Sequence, residues 1–193
     1  MSRQPATPSQ TVGPFFHVGL LHPELADLTR GGKAKGDTIV IEGQVRDGDA
    51  APIPDAMLEI WQANAAGKYA HPEDLQDKPR DANFLGFGRA FTDPHGRYRF
   101  TTIRPGPVPG RGNALQAPHI VMSVFARGLM NRLVTRLYFG DLAPVNESDP
   151  VLSRIDDAAA RQTLIAQPVI GVTPGYRFDV VLQGKGETVF FDV

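Results

Sequence analysis

Residues 38–47 read "TIVIEGQVRD", and their alternation decides the fold class. Ile39, Ile41, Gly43 and Val45 fall on one face of an extended chain, and Val40, Glu42, Gln44 and Arg46 on the other. That is the period of a half-buried β-strand. Working outward, "DGDAAPIPDA" (47–56) is turn chemistry, and "MLEIWQAN" (57–64) reads as the next strand. "RYRFTTI" (97–103) follows the turn "TDPHG" (92–96) as another strand, with Tyr98 and Phe100 on one face. "APHIVMSVFARG" (117–128) and "RLVTRLYF" (132–139) read as a strand pair joined by a short connection at 129–131. "YRFDVVLQG" (176–184) alternates Tyr176, Phe178, Val180 and Leu182 against Arg177, Asp179, Val181 and Gln183. The one helical candidate is "DDAAARQTLIA" (156–166), with Asp156 as its N-cap. Strands at this spacing predict a mostly β chain: a β-sandwich core with long loops and one or two short helices.

The connections carry their own information. "MSRQPATPSQ" opens an extended N-terminal arm over residues 1–14, on a single domain spanning 1–193. "FFHVGLLHPEL" (15–25) is apolar without a steady period and yields no assignment. Residues 65–88 form a long aperiodic loop, and such loops in compact domains are usually functional or covered by a partner. "RPGPVPGRGN" (104–113) is a Pro/Gly loop, and "GETVFFDV" closes the chain.

Composition narrows the function classes. The formal net charge of −1 over 193 residues removes the electrostatic argument for nucleic acid or an anionic membrane as partner. With no cysteine there is no disulfide, no thiolate metal site and no thiol nucleophile. The start has no apolar signal segment, and no apolar run approaches the roughly 20 residues of a spanning helix. Together these features predict a cytoplasmic protein. No phosphate-binding Gly loop, H-E-x-x-H or G-x-S-x-G occurs.

The metal-capable side chains are then His17, His22, His71, His95 and His119, four tyrosines and scattered carboxylates. His95 sits in a turn, and His17 and His22 have no ligand spacing. Tyr98, Tyr138 and Tyr176 read as core or half-core. Tyr69 stands apart, in the irregular loop just after Gly67. His119 stands at the mouth of a strand, and Val121, two residues on, shares its face.

Six stretches in order resemble the intradiol ring-cleaving dioxygenases: "PSQTVGPFF" (8–16), "EIWQANAAGKY" (59–69), "FGRAFTDPHGRYRFTTIRPGPVP" (87–109), "APHI" (117–120), "TRLYF" (135–139) and "GETVFFDV" (186–193). The resemblance implies a β-sandwich and a non-haem Fe(III) held by two Tyr and two His, hard phenolate oxygens suiting a hard cation. Tyr69 matches the first Tyr of that set and His119 the first His. Val108 and Val121 stand in the other two places, so the chain is expected to bind no metal and to contribute no catalytic ligand. The likeness is greatest to the non-iron alpha chains of two-chain members. It implies a homologous iron-binding beta chain as partner, in alpha/beta pairs of a larger bacterial oligomer, acting on a small aromatic substrate. On that reading Thr11, Gly13 and Pro14 in the arm are substrate-side candidates for the partner's site. Arg127 is the candidate for a substrate carboxylate, pointing the same way as His119 if the strand runs unbroken. Arg89 and Arg136 read as structural. Two other readings stand beside this one: a self-sufficient dioxygenase with altered ligands, and a non-enzymatic β-sandwich binding module.

Overall fold

The computed structural model describes residues 8–112, 114–171 and 174–192. The first seven residues of the arm, Asn113 of the Pro/Gly loop and the terminal Val193 lie outside them. The described residues form eleven strands: β1 Thr38–Arg46, β2 Met57–Trp61, β3 Phe87–Phe91, β4 Arg97–Ile103, β5 Val108–Pro109, β6 Leu115–Gln116, β7 His119–Phe125, β8 Leu133–Phe139, β9 Ile165–Val169, β10 Gly175–Arg177 and β11 Val180–Val181. Among the described residues three short α-helices accompany them: α1 Phe15–Leu20, α2 Ala143–Glu147 and α3 Ala158–Gln162. The mostly β reading holds. One layer is β4-β1-β10-β9 and the other β9-β8-β7-β2-β3, with β9 hydrogen-bonded into both.

The core lies between these layers. Ile39, Ile41 and Val45 of β1 and Phe100 and Ile103 of β4 meet Leu58, Ile60, Ile120, Met122, Val124 and Leu137 from the other half. This is the inward face that the period of residues 38–47 predicts. Gly43 takes its inward place for a steric reason: a Cβ there would stand 1.8 Å from the Phe178 carbonyl oxygen. The Tyr98 hydroxyl donates to that same oxygen.

The strand predicted over 176–184 is interrupted. Phe178 and Asp179 belong to neither β10 nor β11, because Gln44 N–H donates to Asp179 Oδ1 at 3.0 Å instead of to a ladder carbonyl. Inward alternation nevertheless survives the break, with Tyr176, Phe178 and Val180 buried. The predicted helix is also shorter than 156–166. Asp157, not Asp156, is its N-cap, accepting from Ala159 N–H, and the helix ends at Gln162. Beyond it the chain turns into β9, which runs parallel to β8.

Candidate functional site, a remnant ligand set

The turn at 64–69 is built around Asn64. Its Oδ1 accepts from Ala66 and Lys68 N–H at 3.0 Å each, and its carbonyl accepts from Gly67 and Gly106 N–H. Gly67 has φ +76, and a Cβ on it would lie 2.1 Å from the Pro107 carbonyl oxygen. Only glycine allows the 64–69 turn to press this closely on the 104–109 segment. The contact brings Tyr69 and Val108 to one depression of about 630 Å³, whose walls include Trp61, Asp74 and Gln116.

The long 65–88 loop is tied down by charge. Lys68 Nζ pairs with Asp74 Oδ1 at 3.4 Å and donates to the Asp74 and Gln76 carbonyls. Asp74 Oδ2 accepts from Tyr69 N–H at 2.7 Å. Burial would raise the Asp74 carboxyl. The hydrogen bonds from Tyr69 and Gln76 N–H, the Gln76 side chain and Lys68 outweigh it and hold the group below the usual carboxylate range.

Sheet register supplies the other wall. Trp61, Val121 and Arg136 are direct cross-strand neighbours on β2, β7 and β8, and His119 lies opposite Tyr138 one step along the same face. Tyr69 stacks on Trp61, ring centroids 5.9 Å apart and 10° from parallel. All four ligand-type positions (Tyr69, Val108, His119 and Val121) therefore gather around one side of the β2–β7–β8 sheet. His119 is buried, with Nδ1 2.8 Å from the Ala117 carbonyl oxygen. A carbonyl only accepts, so Nδ1 carries the proton. Burial, with help from the Arg136 charge, lowers the His119 imidazole to about 4 and keeps it neutral. Burial raises the Tyr69 hydroxyl, a shift that Arg136 opposes and Asp74 adds to.

These residues do not fit the ferric ion that the resemblance implies. One phenol and one imidazole remain, while Val108, 3% exposed, and the half-buried Val121 offer no lone pair. Among the described residues no group of three His, Cys, Asp or Glu side chains is placed to hold a metal. Arg136 is the cationic side chain on the sheet side of this set, and Lys78 Nζ, on the Gly67 and Pro107 carbonyls, is one on the loop side. Arg136 Nη1 donates to Gln116 Oε1 at 2.6 Å and lies 3.4 Å from the Tyr138 hydroxyl, and its guanidinium lies 5.8 Å over the Phe191 ring.

The substrate-side candidates gather elsewhere. Thr11 Oγ1 accepts from Gly128 N–H at 2.7 Å, which places the arm on the turn that contains Arg127. Phe16 anchors the start of α1 against Phe91 and Phe125 at centroid distances of 6.3 and 6.2 Å. Between the arm and this turn lies a cavity of about 390 Å³, with Val12, Leu129 and Arg132 in its wall. Gly13 and Pro14 are exposed, Pro14 at the N-cap position of α1. Nothing within this chain comes within 4 Å of where a Gly13 Cβ would be.

The expectation for Arg127 needs correction. β7 ends at Phe125, so Arg127 is an exposed turn residue and the strand alternation does not set its direction. Arg89 is structural as predicted, paired across the ladder with Glu59. Sequence reasoning missed Arg132 and the Arg136–Gln116 contact. The hairpin register of β7 and β8 is the signal that would have placed Arg136 beside Val121. His119 and Arg127 are eight residues apart. The strand between them spans about 20 Å over the six steps from His119 to Phe125.

A family model described as "Dioxygenase" matches residues 12–184. The protocatechuate 3,4-dioxygenase alpha chain of Pseudomonas putida is 42% identical, over 97% of this chain and 96% of that one. The protocatechuate 3,4-dioxygenase beta chain of Burkholderia cepacia is 40% identical, over 95% of this chain and 78% of that one. Among solved structures, the dioxygenase domain of a carbohydrate-binding fusion protein from Streptomyces sp. SirexAA-E superposes with a TM-score of 0.59 at 26% identity, covering 92% of this chain and 98% of that one. The chain belongs to the intradiol ring-cleaving dioxygenase family.

Proposed function

We propose that this chain is the alpha-type subunit of a protocatechuate 3,4-dioxygenase. It holds no iron and completes, at a shared interface, a site whose Fe(III) is bound by a homologous beta chain. Members of the family generally use Fe(III). The reaction opens the ring of protocatechuate between its two hydroxyl-bearing carbons, and both atoms of O2 enter 3-carboxy-cis,cis-muconate, a step of bacterial aromatic catabolism by the beta-ketoadipate route. The observation that carries this reading is the pair of valines, 108 and 121, at two of the four ligand positions. Identity does not separate the two chain types, at 42% to the alpha relative and 40% to the beta relative. The two valines at ligand positions favour the alpha type.

The placement of the arm supports the same division of labour. Thr11, Gly13, Pro14 and Arg127 gather by the turn that follows β7, and six strand steps, about 20 Å, separate His119 from Phe125 at that end, too far for them to act on a small aromatic bound beside His119. They serve a pocket outside this chain. There Arg127 attracts the substrate carboxylate, the open backbone at Gly13 admits close approach, and the arm excludes water from the partner's site. The protein works in the cytoplasm. Among the described residues no helix is long and apolar enough to cross a membrane.

Co-production with a homologue that carries both Tyr and both His tests the proposal. The two chains should purify together, and the complex should cleave protocatechuate while this chain alone does not. Ring cleavage by this chain alone overturns the reading.

A further inference from the structure

Arg136 differs from two other half-buried arginines of the fold in having no ion-pair partner among the described residues, and it shares with Arg46 a bond to a glutamine amide oxygen. Arg89 pairs with Glu59, and Arg104 with Asp141 at 2.7 Å. Among the described residues no carboxylate lies within 4.0 Å of Arg136. Its donors go to an amide oxygen, that of Gln116, and toward the Tyr138 hydroxyl, while one flank rests on Phe191. The nearest anion is one step removed: Tyr138 donates to Asp149 Oδ1 at 3.2 Å, and Asp149 is fully buried among the Ala117, Val151 and Leu152 N–H groups. A positive charge left unneutralised by direct contact thus stands next to Val121 in the sheet row, and both Tyr69 and His119 feel it.

Given the reading above, in which this chain keeps a dismantled ligand set, we propose that the Arg136 guanidinium is the resident cation of that set. It takes the electrostatic place of the metal, and it excludes metal from the pocket independently of the missing ligands. A unit positive charge repels a trivalent ion three times as strongly as it repels another unit charge at the same distance. In a half-buried site dissolved salt screens that repulsion less than at the open surface. The valines remove two donors. Arg136 opposes binding even where donors are present. Restoring the ligands alone is therefore insufficient.

The test uses the full-length chain in three forms: Val108→Tyr with Val121→His, the same pair with Arg136→Gln, and the same pair with Arg136→Lys. Iron per chain is measured by elemental analysis after Fe(III) loading, alongside the visible phenolate-to-iron absorption and the thermal midpoint. The Arg136→Gln form should bind about a hundredfold more tightly than the form that keeps Arg136. The Arg136→Lys form should stay as metal-poor as the arginine form, because the charge is kept. If Arg136→Gln unfolds, Arg136→Met, with an unbranched stem that can lie on Phe191, replaces it. Equal iron binding with and without Arg136 overturns the proposal, as does a folded, neutral variant that stays metal-free. Failure of the underlying reading shows separately, as stoichiometric iron in the unmodified chain.

Discussion

His119 links the remnant set to stability. Its imidazole titrates near 4 in the folded chain, against a usual value of 6.5. The unfolded chain therefore takes up the proton first as the pH falls. The stabilisation from keeping His119 neutral is complete above about 6.5 and is lost progressively down to about 4, with no further loss below. Each unit of difference corresponds to about 1.36 kcal/mol, so the full loss is about 3 kcal/mol. The carboxylates held low by hydrogen bonds, Asp74, Asp81 and Asp93, lose their contribution only as the pH drops through and below their ordinary value of 3.8. The two windows are distinct. His119→Asn removes the titration, and its amide N–H can still reach the Ala117 carbonyl. Urea unfolding, followed by the fluorescence of Trp61, the only tryptophan, gives the stability of each form across the window. The wild-type chain should lose about 3 kcal/mol more than the variant between neutral pH and about 4. Parallel profiles for the two would refute a neutral, buried His119.

Two further outcomes follow from the packing and the arm. In the two-chain complex, Arg127→Ala should raise KM for protocatechuate about tenfold and leave KM for plain catechol nearly unchanged, a charge-assisted hydrogen bond contributing about 1.5 kcal/mol or more. Equal effects on both substrates would remove its charge role. Gly43→Ala places a methyl 1.8 Å from the Phe178 carbonyl, on backbone fixed by the 2.8 Å bond from Phe178 N–H to the Glu42 carbonyl, and should cost about 3 kcal/mol in urea unfolding. A loss under about 1 kcal/mol would show that the two segments can part.

The strands that sequence reading found are those whose large residues face inward. β1, β4, β7 and β8 follow that rule, and their hydrophobic period is plain. β3 inverts it. Gly88 and Ala90 point to the core while Phe87, Arg89 and Phe91 lie on the outer face, because a larger side chain at Gly88 would meet Leu28 at 2.4 Å. With small residues inward and aromatics outward, "FGRAF" carries no strand signal that alternation can detect. α1 buries no residue, so its sequence has no reason to show a helical period. β9 was hidden in the tail of the predicted helix. Thr163 ends that helix, its hydroxyl donating to the Ala160 carbonyl and accepting from Val189 N–H, and the chain leaves along β8.

The site divides in the same way. Tyr69, Val108, His119 and Val121 were legible through the family resemblance, because each sits in a short stretch that can be matched to it. The Asn64-centred turn and Gly67 fix Tyr69, and the strand period fixes His119 and Val121. Arg136 was not legible as part of the site. Its neighbours Val121 and Gln116 are 15 and 20 residues away in sequence, and only the β7–β8 register brings the three together.

The most direct test of the central claim is an iron count on the two-chain complex in which this chain carries Tyr69→Phe. If the iron belongs to the partner, the variant complex keeps one iron per pair and an unchanged phenolate-to-iron absorption. Loss of iron, or a shift of that absorption, would show that Tyr69 of this chain is a ligand and would contradict the account.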